Sequence, residues 1–540
     1  MRNLSTLVNK IYSIIVVSLM RIILIFLFVL AVVSTCTIAM DISEKTYYIS
    51  DNILKNIVLL ICWIVFIFFL KKIGLFSKKE NKNIAILLCI LLYVIAAVWI
   101  ILSRYTPRSD QMAVYACINA LKNKDFSGFD KGGYFYRFPY QVGIVYIYYL
   151  WSIIFGYRNI IALQMLNALA IVLFYKKIGD LCAHIGFGTK YKDYALILGI
   201  FFYPLIMYSS FIYGNLLGLG LSAAALDYEI QFLNKGRKIH GILSVLCILL
   251  GIFAKKNYVI FLLGMIIYAA LVLISRIEIN KIIYLTFLLI VLIGASSLLS
   301  AISNKITGIE ESGPMSSWSY VAMGLSEGPR ANGWQTNFEV DSYEASNYNT
   351  EVQSELALEN IRESIKKFIQ NPQYAKEFFV LKIASEWNNP TFQCHWINQV
   401  CDYDEKQSNV VKTINSLDAG KYAYGYLDAF MIIVLFGALL LFWINDDFKN
   451  SELILATIFI GGFLFHIFWE AKGQYTLPYY VLIFPYSIKG YAKLVRQKSL
   501  NKRKIFLFVG TVIVFSFIII HDIDLLTKDT VLWQEYIAGV

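Results

Sequence analysis

Charge is scarce in this chain. Asp, Glu, Lys and Arg make up only 16% of its 540 residues, and 58% are hydrophobic. Soluble domains carry about 25% charged residues, so the composition excludes a string of them and fits an integral membrane protein. Cysteine chemistry is missing as well. The eight cysteines are scattered, with no Cys-x-x-Cys pair and no Cys/His spacing suited to a metal. Cys36, Cys62, Cys89, Cys182 and Cys247 lie in or beside apolar stretches. Cys394 and Cys401 share one polar loop, where a disulfide and two free thiols fit equally well. No Walker A loop, dinucleotide glycine pattern or His-Glu-x-x-His motif occurs. His395 and His466 are isolated, and Gly313-Pro314 and Gly324…Gly328-Pro329 read as turns.

Long apolar runs are what the chain has in abundance. They recur at 11–40, 56–70, 84–103, 139–155, 159–175, 194–212, 214–232, 240–254, 258–275, 281–302, 426–444, 452–469, 475–491 and 505–521. The first is too long for a signal-peptide core and reads as a retained span. The net charge of +11 is no nucleic-acid signature, because most of the excess lies in short loops between runs. Lys71-Lys72…Lys78-Lys79, Lys176-Lys177…Lys192, Lys235-Gly-Arg237-Lys238 and Lys489 through Lys504 are the strongly basic ones. The positive-inside rule puts all of them in the cytoplasm only if aromatic segment 139–155 is interfacial or re-entrant. The expected fold is therefore an all-α polytopic membrane protein of about thirteen spans, N-terminus inside and C-terminus outside.

Two large loops then face outward, 104–158 and 303–425. They divide the chain into an N-terminal membrane module (1–302), a loop domain (303–425) and a C-terminal membrane module (426–540). Within the second loop the spacing predicts a helix over 351–370, with Ser354, Leu358, Ile361, Ile365 and Phe368 on one face. Asn371-Pro372 ends it, and a second helix over 373–386 leads to Trp387-Asn-Asn-Pro390.

This topology gathers polar groups at one boundary. Asp110 and Gln111 follow the third span, Lys255-Lys256-Asn257 joins two spans, and Glu470-Ala-Lys472-Gly-Gln474-Tyr475 joins two more. Asp110 reads either as a solvated helix-end aspartate or as a base at a lipid–water boundary. Lys255 and Lys256 read either as snorkelling helix anchors or as ligands of an anionic headgroup, since cations on the outer side run against the usual bias. Glu470 and Lys472 form a local ion pair or divide between sugar hydroxyls and phosphate. Gly132-Gly-Tyr-Phe-Tyr136-Arg137-Phe-Pro-Tyr-Gln141 adds an arginine and an amide beside aromatics, suited to sugar rings or to an interfacial belt.

Several of these stretches resemble the GT-C glycosyltransferases, which include protein O-mannosyltransferases and bacterial aminoarabinose transferases. Ser109-Asp110-Gln111 with the later Gly-Gly-Tyr-Phe-x-Arg-Phe-Pro-Tyr-Gln141-x-Gly is similar to the first-loop pattern of Gram-positive members. Phe253-Ala-Lys-Lys-Asn257 resembles their outward lysine turn, and Trp387-Asn-Asn-Pro-Thr-Phe a stretch of their second loop. Trp469-Glu-Ala-Lys-Gly-Gln-Tyr475-x-Leu-Pro478 resembles their late motif, with Gln474 where arginine is usual.

The resemblance implies a multi-pass enzyme of the bacterial plasma membrane with an extracytoplasmic site. It would move a sugar from polyprenyl phosphate to a glycan, teichoic acid, lipid or protein acceptor. Asp110 would be general base. Lys255, Lys256, Lys472 and Arg137 would meet the donor phosphate, so a divalent metal is not obligatory and no cofactor is required. Gln111, Tyr136, Gln141, Trp387, Glu470, Gln474 and Tyr475 would contact sugar or acceptor. A polysaccharide polymerase or lipid-linked-sugar transporter is the competing class, and an inactive scaffold a third. A carrier should place charges deep in spans and break helices near the midplane, whereas here the polar groups gather at one face.

Overall fold

The computed structural model describes residues 2–41, 43–73, 82–310, 313–399, 409–414, 416–445, 447–496 and 502–538. Lys78, Lys79, Cys401 and the loop 497–501 lie outside the described residues. Among those described, nine helices are long and apolar enough to cross a membrane, or up to twelve if each of three bent pairs is one span. The protein is thus an all-α polytopic membrane protein, built from spans that satisfy their own backbone hydrogen bonds.

Three apolar segments among the described residues are broken by sharp bends. Tyr191–Phe201 meets Tyr203–Ser210 at 66°, Phe506–Ile520 meets Ile523–Ile537 at 73°, and Ser127–Arg137 meets Pro139–Phe155 at 101°. Aromatic segment 139–155 is therefore a helix turned sharply off the preceding loop, with Val142, Gly143, Ile144, Val145 and Tyr148 buried. The 240–254 run forms Lys238–Ala254, shorter than a full span.

One expectation fails at the first run. The helix ends at Val33, and Ser34–Ile38 pairs antiparallel with Thr46–Ser50. The hairpin carries Glu44 in its turn and docks on the loop domain. The Cys36 amide donates to the Asn388 carbonyl at 2.9 Å, and the Thr46 amide to that of Arg330 at 3.0 Å. Helices Thr350–Gln370 and Pro372–Trp387 appear as predicted, with Asn371 capping the second at the Tyr374 amide. The inward face of the first is Gln353, Ala357 and Ile361. Ile365 points away, because the buried stripe follows a slightly different helical row.

Helix Asn215–Lys235 is the axis of the bundle and packs most extensively on Lys238–Ala254 and Ile160–His184. Its 21 residues rise about 30 Å. One end meets Asp110. The other ends among basic groups, where Lys190 faces Arg496 and His240 faces Lys177, Lys235 and Arg237. The basic turns thus share the end opposite Asp110.

Candidate functional site

Asp110 is the first residue of helix Asp110–Asn123, and its side chain is exposed. Ser109 before it holds φ 46° and ψ −130°, a conformation costly for a residue with a Cβ. Strain of that kind persists where surrounding structure imposes it and clusters at functional sites. Gln111 turns inward and supports the neighbouring loop. Its Oε1 accepts from the Ile212 amide at 3.1 Å and its Nε2 meets the Tyr105 hydroxyl.

The partner of Asp110 is Tyr213, which donates to Oδ2 at 3.1 Å. That hydroxyl also accepts from Gln141 Nε2 at 2.8 Å and contacts the Tyr134 hydroxyl at 3.0 Å. Tyr134 also hydrogen-bonds to Asp110, so two tyrosine hydroxyls bear on the carboxylate. The Lys255 ammonium lies 3.8 Å from the centre of the Tyr213 ring, a cation–π contact. Gly214 makes this approach possible. Its φ is +83°, and a Cβ there would strike the Ala254 carbonyl, one residue before Lys255.

Lys255 is half-buried and has no carboxylate within ion-pair distance among the described residues. Burial pulls its ammonium down to about 8, against the opposing pull of Asp110 and Glu470. Glu470 closes the cluster. It is 6% exposed, and burial pushes its carboxyl up to about 7. Lys472 opposes that rise, whereas Glu339, Glu44 and Asp110 add to it. Glu339, also buried, has its carboxyl raised by burial, and Gln335 holds one of its oxygens at 3.0 Å.

Aromatics line the space between these groups. The Tyr140 and Tyr320 hydroxyls meet at 3.0 Å, and Tyr320 stacks on Trp469 with ring centres 5.2 Å apart. Exposed Lys256 lies 5.8 Å from the Tyr140 ring. Tyr475 stacks on His466 at 6.2 Å, and the Gln474 amide donates to Gln393 Oε1 at 3.2 Å.

The strand hairpin takes one of the expected cations out of the cluster. Lys472 Nζ pairs with Glu44 Oε1 at 2.9 Å, while Arg330 meets the other oxygen at 3.2 Å. Lys382, which sequence reasoning missed, is fully buried. It donates to the carbonyls of Gly324 at 2.6 Å, Ile467 at 2.9 Å and Trp469 at 2.8 Å. It thereby pins the residue before Glu470 to the loop domain. Gly324 packs against the same strip so closely that a Cβ would strike the Phe468 carbonyl.

Arg137, Tyr136 and Trp387 are not brought to this cluster. Arg137 pairs with Glu344 at 2.8 Å and lies over Tyr348, whose ring also meets Tyr136 edge-on at 6.4 Å. Trp387 is 2% exposed and packs against Phe459 and Phe463, because its helix turns that face into the bundle. Cys394 is a buried free thiol. His395 bonds to the Tyr203 hydroxyl at 2.8 Å, and no group of three or more metal-ligating side chains occurs among the described residues.

Sequence reasoning also missed Tyr213, Glu339 and Glu44. Tyr213 had a signal, a Tyr-Gly break between two apolar runs at the Asp110 end. The other two had none.

The site joins an exposed carboxylate, a buried carboxyl, an unpaired ammonium and several hydroxyls at one end of a helix bundle. Such a set can bind an anion and move protons. The fold and site together define a multi-pass α-helical membrane protein with a polar cluster at one end of its bundle. No family model, no curated protein and no solved structure matches the chain.

Proposed function

We propose that the protein is an inverting glycosyltransferase of the bacterial plasma membrane. In this reading it takes a sugar from a polyprenyl-phosphate donor at the outer leaflet and passes it to an extracytoplasmic acceptor, a cell-wall or surface polysaccharide. The observation that carries the reading is that Asp110, Lys255 and Glu470, from three distant parts of the chain, lie in one tyrosine-rich cluster. Asp110 and Lys255 share the Tyr213 side chain, and both bear electrostatically on Glu470.

Asp110, aimed by Tyr213, takes the proton of an acceptor hydroxyl. The acceptor oxygen attacks the anomeric carbon from the face opposite the phosphate, and the bond from that carbon to the phosphate oxygen breaks. Lys255 stabilises the departing phosphate, with Lys256 at the rim. Lys472, already paired with Glu44, shapes the site instead of binding the donor. The aromatic surfaces of Tyr140, Tyr320 and Tyr475 suit a sugar ring. The reading keeps about thirteen spans, with the basic turns in the cytoplasm and the 104–158 and 303–425 loops outside.

The test is genetic and chemical. A deletion strain should accumulate a polyprenyl-phosphate sugar, and wild-type protein should clear it whereas Asp110→Asn should not. Accumulation of lipid-linked oligosaccharide on the cytoplasmic side instead would move the protein to the transporter class.

A further inference from the structure

The charge around the proposed donor site is unbalanced in a way the transferase reading leaves unexplained. Asp110, Glu339 and Glu470 bear on it, while Lys472, expected there, is taken by Glu44, and Lys382, which sequence reasoning missed, by three backbone carbonyls. A phosphodiester carries one negative charge, and the monoester that leaves would carry two. The second charge would develop beside carboxylates with Lys255 as the principal counter-charge.

We propose that Glu470 is the general acid, delivering a proton to the leaving phosphate as the sugar departs. This rests on the transferase reading. Glu470 is suited by its position. It is buried, it sits where helix Asn450–Phe468 gives way to the turn, and Lys382 fixes its neighbour Trp469. Among the described residues no hydrogen bond or ion pair holds its carboxyl, unlike Glu339 with Gln335 or Glu44 with its two cations. The groups facing it are Asp110, Glu339 and Glu44 among the acids, and Lys255, Lys382 and Lys472 among the bases. Tyr140, Tyr320 and Tyr475 complete the set.

The step balances. The acceptor O–H proton goes to Asp110 and a bond forms from that oxygen to the anomeric carbon. The carbon–phosphate-oxygen bond breaks, its electron pair stays on the phosphate, and the Glu470 proton joins it. The phosphate leaves with one negative charge, Glu470 becomes a carboxylate and Asp110 a carboxylic acid. Solvent reaching exposed Asp110 returns the pair to its starting state. A carboxyl that holds its proton up to about 7 matches a phosphate monoester, whose second pKa is about 6, and matched pairs transfer protons well.

The sign of the pH effect follows. Glu470 is active when protonated, so its contribution is full at low pH and lost as pH rises through about 7. Lys255 would add its own alkaline limb near 8, so the profile is read in a Lys255→Arg background, where the charge stays and the amine titration is removed. The probe is a panel of farnesyl-phosphate hexoses offered to nanodisc-embedded full-length protein with membrane acceptors. Glu470→Gln should lower kcat by roughly 10²–10⁴ with little change in KM, and erase the limb near 7. Glu470→Asp should retain part of the rate. Survival of that limb in Glu470→Gln overturns the assignment. Infrared difference spectra of wild type minus Glu470→Gln test the proton itself, without turnover. A carboxylic acid band that fades through about pH 7 supports the proposal, and its absence at pH 6 sinks it. If the band titrates but no donor is turned over by wild type, the transferase reading fails and takes the catalytic role with it.

Discussion

Two polar clusters occupy opposite ends of the same central helix, and they are built to opposite rules. Near its far end Asp227 accepts from Lys177 at 2.8 Å, His184 at 2.7 Å and Gln231 at 3.0 Å, and Lys177 also covers the Tyr228 ring at 3.9 Å. Around it, Asp180 pairs with Lys176 and Lys192, and Glu452 with Lys489. Around Asp227 charge meets charge, although Glu229, two residues on, is buried with neither carboxyl oxygen partnered. At the near end Asp110 meets the Tyr213 and Tyr134 hydroxyls, Lys255 has an aromatic face instead of an acid, and among the described residues no hydrogen bond or ion pair holds the buried Glu470 carboxyl. Closed networks of the first kind hold helices together. Incompletely satisfied groups of the second kind leave capacity for a ligand, and perturbed ionisation in a cleft is a mark of functional sites.

If that distinction is right, substitutions at the two ends should fail in different assays. Asp227→Ala strips a buried lysine of its acid and should cost about 3–5 kcal/mol of stability, read as a lower unfolding midpoint in detergent. A stable Asp227→Ala protein would break the contrast from the structural side. Lys255→Met should leave that midpoint near wild type and lower sugar transfer by roughly 10²–10³, the scale of one lost charge-stabilising donor. Loss of folding in that variant would show Lys255 to be an anchor. Tyr213→Phe removes one hydrogen bond to a charged group and should lower kcat by about ten- to a hundredfold with KM little changed, since such bonds are worth about 1.5–3 kcal/mol. Lys472→Met should have the smallest effect on transfer and show itself in stability, because it leaves Glu44 with Arg330 alone. A loss of transfer larger than that of Lys255→Met would return Lys472 to the donor phosphate.

The two ends also differed in how far the sequence revealed them. Span positions were largely legible, because the length of an apolar run is a one-dimensional property. That Asp110, Lys255 and Glu470 each flank an apolar run was legible too, whereas the meeting of Asp110 and Lys255 around Tyr213 was not. Nor was the Ser34–Ile38 strand. It continues an apolar run without interruption, and short apolar segments do not distinguish strand from helix. With the hairpin hidden, Glu44 could not be seen as the partner that removes Lys472 from the cluster. Trp387 carried a motif-like neighbourhood, yet which face of its helix turns inward is settled by the packing of Phe459 and Phe463. Lys382 looked like any helix lysine. Only the meeting of three carbonyls from two helix ends gives it a place.

The central claim is that Asp110 takes a proton from the acceptor. The most direct measurement compares sugar transfer by wild type and Asp110→Asn, both in nanodiscs with a polyprenyl-phosphate donor, with unfolding midpoints measured on the same preparations. The account predicts a loss of roughly 10²–10⁴ in kcat at an unchanged midpoint. Transfer by Asp110→Asn at the wild-type rate would contradict it.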